Sequence, residues 1–134
     1  MTGLVLKLAP RERIVINGAV IENGDRRSKL SVMTPGTHVL RLRDAIHPDE
    51  ANTPVRRACY MAQLLLTGDA APAEMKTPLL KNIETLSQAL TDTDSHAHLG
   101  TATRAFLEGD HYRCLKSLRA LLPREDRLLA VASK

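Results

Sequence analysis

Aromatic side chains are almost missing from this chain. Tyr60, Phe106 and Tyr112 are the whole set, 2% of 134 residues, and there is no tryptophan. The core must therefore be aliphatic. Base-stacking RNA-recognition sheets, proline-peptide grooves and sugar platforms all need aromatic faces, so this composition argues against them. Cysteine is nearly as scarce. Cys59 and Cys114 stand alone, which makes neither a zinc motif nor a disulfide framework. They read as reduced core thiols of a cytoplasmic protein. No apolar run approaches the ~18 residues of a membrane helix. The first ten residues alternate too cleanly for a secretory signal. A glycine-rich phosphate loop and a nucleophile elbow are absent too.

What is present suffices for a folded domain. Hydrophobic residues make up 43% of the chain, and a chain of this length buries roughly two-thirds of its unfolded surface. The net charge is +4, from 19 Lys and Arg against 15 acids. Residues 1–50 and 51–134 each carry +2, so neither is a basic tail. A mild basic excess fits RNA or an acidic partner, and also fits a plain soluble domain.

The first part of the chain reads as short strands. Leu4, Leu6 and Leu8 alternate with Val5 and Lys7, the period of a strand. Arg13 to Ile16 and Ala19 to Glu22 flank Asn17-Gly18, the strongest local signal for a hairpin. Asn23-Gly24 is a second turn. Ser28 to Met33 and His38 to Arg43 complete five strands, separated by Thr34-Pro35-Gly36. A small antiparallel sheet or barrel is expected.

From residue 53 the period becomes helical. Thr53-Pro54 is a cap followed by proline at the first helical position, and Gly68 is a stop. Val55, Ala58, Cys59, Ala62, Leu65 and Leu66 share one face. A second helix starts near Pro72 or at Thr77-Pro78 and carries Leu79, Ile83, Leu86 and Leu90 inward. Asp94-Ser95 is expected to cap a third, with Leu99, Ala102, Phe106 and Leu107 inward. Gly109-Asp110 joins it to a fourth, which carries Leu115, Leu118 and Leu122 inward and ends at Pro123. A short amphipathic tail from Glu125 to Ala132 follows. The expected fold is α+β: an N-terminal β-rich region, residues 1–50, then a bundle of about four helices, residues 51–134.

Catalysis finds little support. Of the histidines, only His96 and His98 are close, and no third ligand accompanies them. No metal, cofactor or enzymatic activity is expected. The cations are more informative. On a strand over 38–43, Val39, Arg41 and Arg43 share one face and Leu40 and Leu42 the other. Lys7 stands opposite its leucine neighbours, and Arg26 and Arg27 project from a turn. Lys7, Arg26, Arg27, Arg41 and Arg43 are therefore the candidate RNA contacts, since arginine forks suit phosphates and base edges. Read alone, such a face is also what a solvated sheet shows to deter edge-to-edge aggregation. Arg113, Lys116 and Arg119 form a second basic stripe, which reads as a solvated helix face.

Three segments together resemble the FlbT family of flagellin-synthesis regulators of α-proteobacteria. They are Ile16 to Arg27 (INGAVIENGDRR), Thr53 to Tyr60 (TPVRRACY) and Gly109 to Pro123 (GDHYRCLKSLRALLP). The resemblance implies a post-transcriptional repressor that binds the 5′ untranslated leader of flagellin mRNA and promotes its degradation. It also implies links to FlaF and to flagellin. Arg11 stands where the family tends to have glycine, and His111 where a second tyrosine is more usual. The strand lengths and turn order also look like those of the carbon storage regulator, a small RNA-binding dimer, with Lys7, Arg41 and Arg43 in comparable places. That likeness, and the unpaired edges that small sheets leave, point to a homodimer. The rival reading is a helical adaptor or chaperone that grips flagellin or FlaF and acts on mRNA indirectly. It calls for an exposed apolar groove among Leu64, Leu65, Leu79 and Leu80.

Overall fold

The computed structural model describes residues 4–17, 19–37, 39–41 and 45–132. The chain divides into two compact units, Met1–Ala45 and Ile46–Lys134. The fold is α+β, with β-structure in the first unit and helices in the second.

The five strands of the first unit form two antiparallel sheets. Strand β1 (Leu4–Leu8) pairs with β4 (Ser28–Val32). Strand β2 (Arg13–Ile16) lies between β3 (Ala19–Glu22) and β5 (Val39–Arg41). The hairpin expected at Asn17-Gly18 forms, with Ile16 opposite Ala19. Asn17 has φ of 49°, a left-handed conformation that asparagine tolerates; Gly18 lies outside the described residues. Inward alternation places Leu6 and Leu8 of β1 against Ile14 of β2, with Ile16, Leu30, Val32 and Val39 packed around them. Leu4, on the same parity, is 52% exposed at the strand's open end. Val15 and Leu40, on the opposite face of the second sheet, are buried as well.

Two turns tie the sheets together. The Asn23 side chain donates to the carbonyls of Ala9 and Arg26 and accepts from the Ser28 hydroxyl at 2.8 Å. Arg11 donates its amide to the Gly24 carbonyl with φ of 62°. That is the left-handed region that favours glycine, at the position where the resemblance sets glycine. Its guanidinium pairs with Glu22 and Asp25.

The second unit contains α1 (Pro54–Thr67), α2 (Pro72–Ala89), α3 (Thr93–Leu107), α4 (His111–Arg119) and α5 (Leu122–Ala132). Helix α4 packs against α1 and α3, and α2 packs against the same two. The α1 cap and stop are as expected: the Thr53 hydroxyl accepts from the Arg56 amide, and Gly68 takes φ of 83°. Helix α2 begins at Pro72 and runs through Pro78.

Two boundaries and one inward-facing residue differ from the sequence reading. Asp92, not Asp94, caps α3, because its carboxylate stands the required three residues before the Ser95 amide, 3.0 Å away. Pro123 does not end α4. It sits in the first turn of α5, where a helix needs no proline N–H. The chain turns at Ala120 instead, which buries Leu121 in place of Leu122. Leu107 is 60% exposed, and Ala105 takes the inward place. No helix among the described residues is long and apolar enough to cross a membrane.

Candidate nucleic-acid interface

The antiparallel register of β1 and β4 sets Lys7 directly opposite Lys29. Both side chains leave the face opposite the buried leucines, beside Val5 and Ser31, and all four residues are exposed. Like charges directly across a sheet repel. Sheets usually relieve such a pair with an acid, and here none does. Among the described residues, Lys7, Arg26, Arg27 and Lys29 make no ion pair.

A groove of about 510 Å³ opens along these cations, lined by Lys7, Leu8, Ala9, Glu12, Arg27, Ser28 and Lys29. Arg27 enters from the turn that the Asn23 side chain fixes, and exposed Arg26 stands next to it. The structure thus brings Lys7 and Arg27 together around one cavity.

Arg41 is placed differently. It lies opposite Ile14 in the β2–β5 register, on the inward face. Its guanidinium spans both oxygens of Glu12, Nε to Oε2 at 2.8 Å and Nη2 to Oε1 at 2.9 Å. Nη2 also donates to the Lys7 carbonyl. The Arg41 side chain is 21% exposed and that of Glu12 only 7%. Strand alternation alone suggests an outward Arg41. A second sheet packed on that face turns it inward. Arg43 lies outside the described residues.

Lys29 was not among the candidates read from the sequence. Its strand is legible, but its place opposite Lys7 depends on pairing β1 with the fourth strand rather than with its sequence neighbour. Glu12 is hidden for the same reason.

The helical unit offers less. Arg113 and Lys116 are exposed on α4, and Arg119 is half-buried. Cys59 and Cys114 are fully buried, and burial pushes both thiols up to about 12. They are protonated and unreactive at neutral pH. His96 places Nε2 2.8 Å from the Ser87 carbonyl. Among the described residues no three His, Cys, Asp or Glu are grouped to hold a metal ion. Leu65 and Leu79 are buried and Leu64 and Leu80 half-buried, so those four leucines form no exposed groove. A shallow cleft of about 280 Å³ lies instead between α2 and α3, lined in part by Ile83, His96 and Leu99.

These features define a small α+β protein that combines a helical unit with a sheet unit bearing a cationic groove. The chain belongs to the FlbT family: the family model described as flagellar protein FlbT matches residues 4–129. A protein of Allorhizobium ampelinum named probable flagellum biosynthesis repressor protein FlbT is 32% identical over 126 residues, 94% of this chain and 83% of that one. A protein of the same name from Caulobacter sp. is 30% identical over 130 residues, 97% of this chain and 98% of its own. The Caulobacter vibrioides protein of that name is 26% identical over 130 residues, 97% of this chain and 92% of its own. No solved structure matches the chain. Membership places the protein among regulators of flagellum synthesis.

Proposed function

We propose that this protein represses flagellin synthesis by binding the 5′ untranslated leader of flagellin mRNA in the cytoplasm and promoting its degradation. The observation that carries this reading is the unrelieved Lys7–Lys29 pair beside Arg27 on the groove of the first unit. Such a pair costs the sheet stability, and a phosphate between the two ammonium groups offsets that cost. Lys7, Arg26, Arg27 and Lys29 are the phosphate contacts in this reading. The scarcity of aromatics makes the contact one of backbone charge and exposed polar groups rather than of base stacking. The reading assigns no catalytic step, so decay of the message falls to other factors recruited to it.

Filter binding of the purified protein to a flagellin leader RNA tests this. Replacing both Lys7 and Lys29 by glutamine should lower the slope of log affinity against log salt by about 0.7 for each lost phosphate contact. Lys29→Gln removes the repulsion, so its stability should stay within about 0.5 kcal/mol of wild type. Unchanged affinity and salt slope in the folded double variant would sink the reading.

The second reading, an adaptor for flagellin or FlaF, has an observation of its own. Leu128 and Leu129 are more than 40% exposed on α5, and Val131 is 71% exposed. Flagellin added as a competitor to the RNA titration separates the two. An adaptor binds flagellin without needing Lys7 or Lys29.

A further inference from the structure

The groove has an acid in its wall. Among the described residues that line it, Glu12 is the one acid. A carboxylate in that place repels any phosphate that Lys7, Arg27 and Lys29 attract. Its charge acts through a poorly hydrated wall, where screening is weak.

Arg41 answers that charge. Its guanidinium holds both oxygens of Glu12, and Oε1 also accepts the Ala9 amide at 2.9 Å. The same guanidinium grips the Lys7 carbonyl. Arg41 therefore cancels the acid in the groove and fixes the backbone from which one of the phosphate-facing lysines projects. Its own donors are committed to protein oxygens, from a strand face that points inward.

We propose that Arg41 is a positioning residue: it neutralises Glu12 in the wall of the groove and sets the position of Lys7, without touching the nucleic acid. This inference rests on the RNA-binding reading of the groove. It assigns opposite signs to the two members of one ion pair. Removing the charge of Glu12 strengthens anion binding, because one negative charge leaves the wall of the groove. Removing Arg41 weakens it, because one positive charge leaves that wall and the Lys7 carbonyl loses its donor.

The experiment is a double-mutant cycle on the full chain, with wild type, Glu12→Gln, Arg41→Ala and the double variant. Each protein is titrated with a fluorescein-labelled flagellin leader RNA at one salt concentration, and its folding is followed by circular dichroism. Glu12→Gln should bind severalfold tighter than wild type even if less stable. A purely structural role for the pair predicts no such gain. Arg41→Ala should bind about tenfold weaker, the scale on which one uncompensated charge near a charged ligand acts. The double variant should return to within about threefold of wild type, because the two changes cancel in net charge.

A double variant as weak as Arg41→Ala shows that Arg41 contacts the RNA and overturns the inference. If Arg41→Ala alone does not fold, as removing one member of a buried ion pair can cause, the double variant and Glu12→Gln decide. Affinity within about threefold of wild type in the first and a gain in the second support the proposal. A large loss in the first or no gain in the second sinks it. Absence of binding by the wild-type protein removes the RNA reading and the inference with it. Binding without rescue removes the inference alone.

Discussion

The carboxylate of Glu125 closes over the start of α1, where Oε2 accepts the Val55 amide at 2.8 Å. Its other oxygen accepts the Thr53 hydroxyl, while that hydroxyl accepts the Arg56 amide. Pro54 has no amide to satisfy. The first donors of α1 are thus met by its own cap and by a residue seventy positions away. The Arg56–Asp126 pair at 3.0 Å lies alongside.

Glu125→Ala is therefore expected to destabilise the helical unit by about 1–3 kcal/mol, because the Val55 amide loses its partner in a buried place. Glu125→Gln keeps an acceptor for that amide and should lose less. Urea denaturation followed by circular dichroism measures both. Equal losses in the two variants would mean that charge, not hydrogen bonding, holds this junction.

Leu118 is fully buried on α4, between the helices that flank it. Leu118→Ala should cost about 2–5 kcal/mol, the range for a buried leucine whose surroundings cannot collapse into the void. The denaturation midpoint should fall accordingly, and an unmoved midpoint contradicts the packing described.

Asp92 supplies a pH dependence. Hydrogen bonds from the Ser95 hydroxyl and amide hold its carboxyl below its ordinary value of 3.8. A depressed folded value stabilises the protein above the unfolded value and stops doing so as pH falls through the folded one. Wild type should thus exceed Asp92→Asn in thermal stability at pH 6. The gap should close as pH drops below 3.8, by the same linkage. A gap that persists at pH 2 would contradict the cap as its source.

Among the described strands β3 is an edge of its sheet, and it is exposed along its whole length, with Val20 at 57% and Ile21 at 38%. It has no lysine, proline or bulge to deter pairing. A homodimer joined through strand edges is the expected state. Light scattering at micromolar concentration should give twice the chain mass, and Val20→Lys should shift it toward the monomer. A wild-type monomer at that concentration rules the dimer out.

Much of this architecture follows from local pattern. Thr53-Pro54 starts a helix because a hydroxyl meets a free amide and proline needs none. Strand β2 turns into β3 at Asn17 because asparagine tolerates the left-handed backbone it takes there. The stripe of Leu79, Ile83, Leu86 and Leu90 is buried because four-residue and three-residue steps share one helix face. Helix boundaries are ambiguous where two local signals compete. Asp92 and Asp94 are both fair caps, and Pro123 is equally able to follow one helix or open the next.

The groove and the junction at Glu125 belong to the other kind of information. Local pattern specifies the strands, the helices, the aliphatic core and the cations available for binding, because each depends on neighbours within a few positions. It takes the folded chain to set Lys7 across from Lys29, to turn Arg41 inward to Glu12, and to bring Glu125 to the start of a helix seventy residues earlier. Strand partners and ion pairs are chosen by which surfaces meet in space, and alternation along one strand carries no record of the strand beside it.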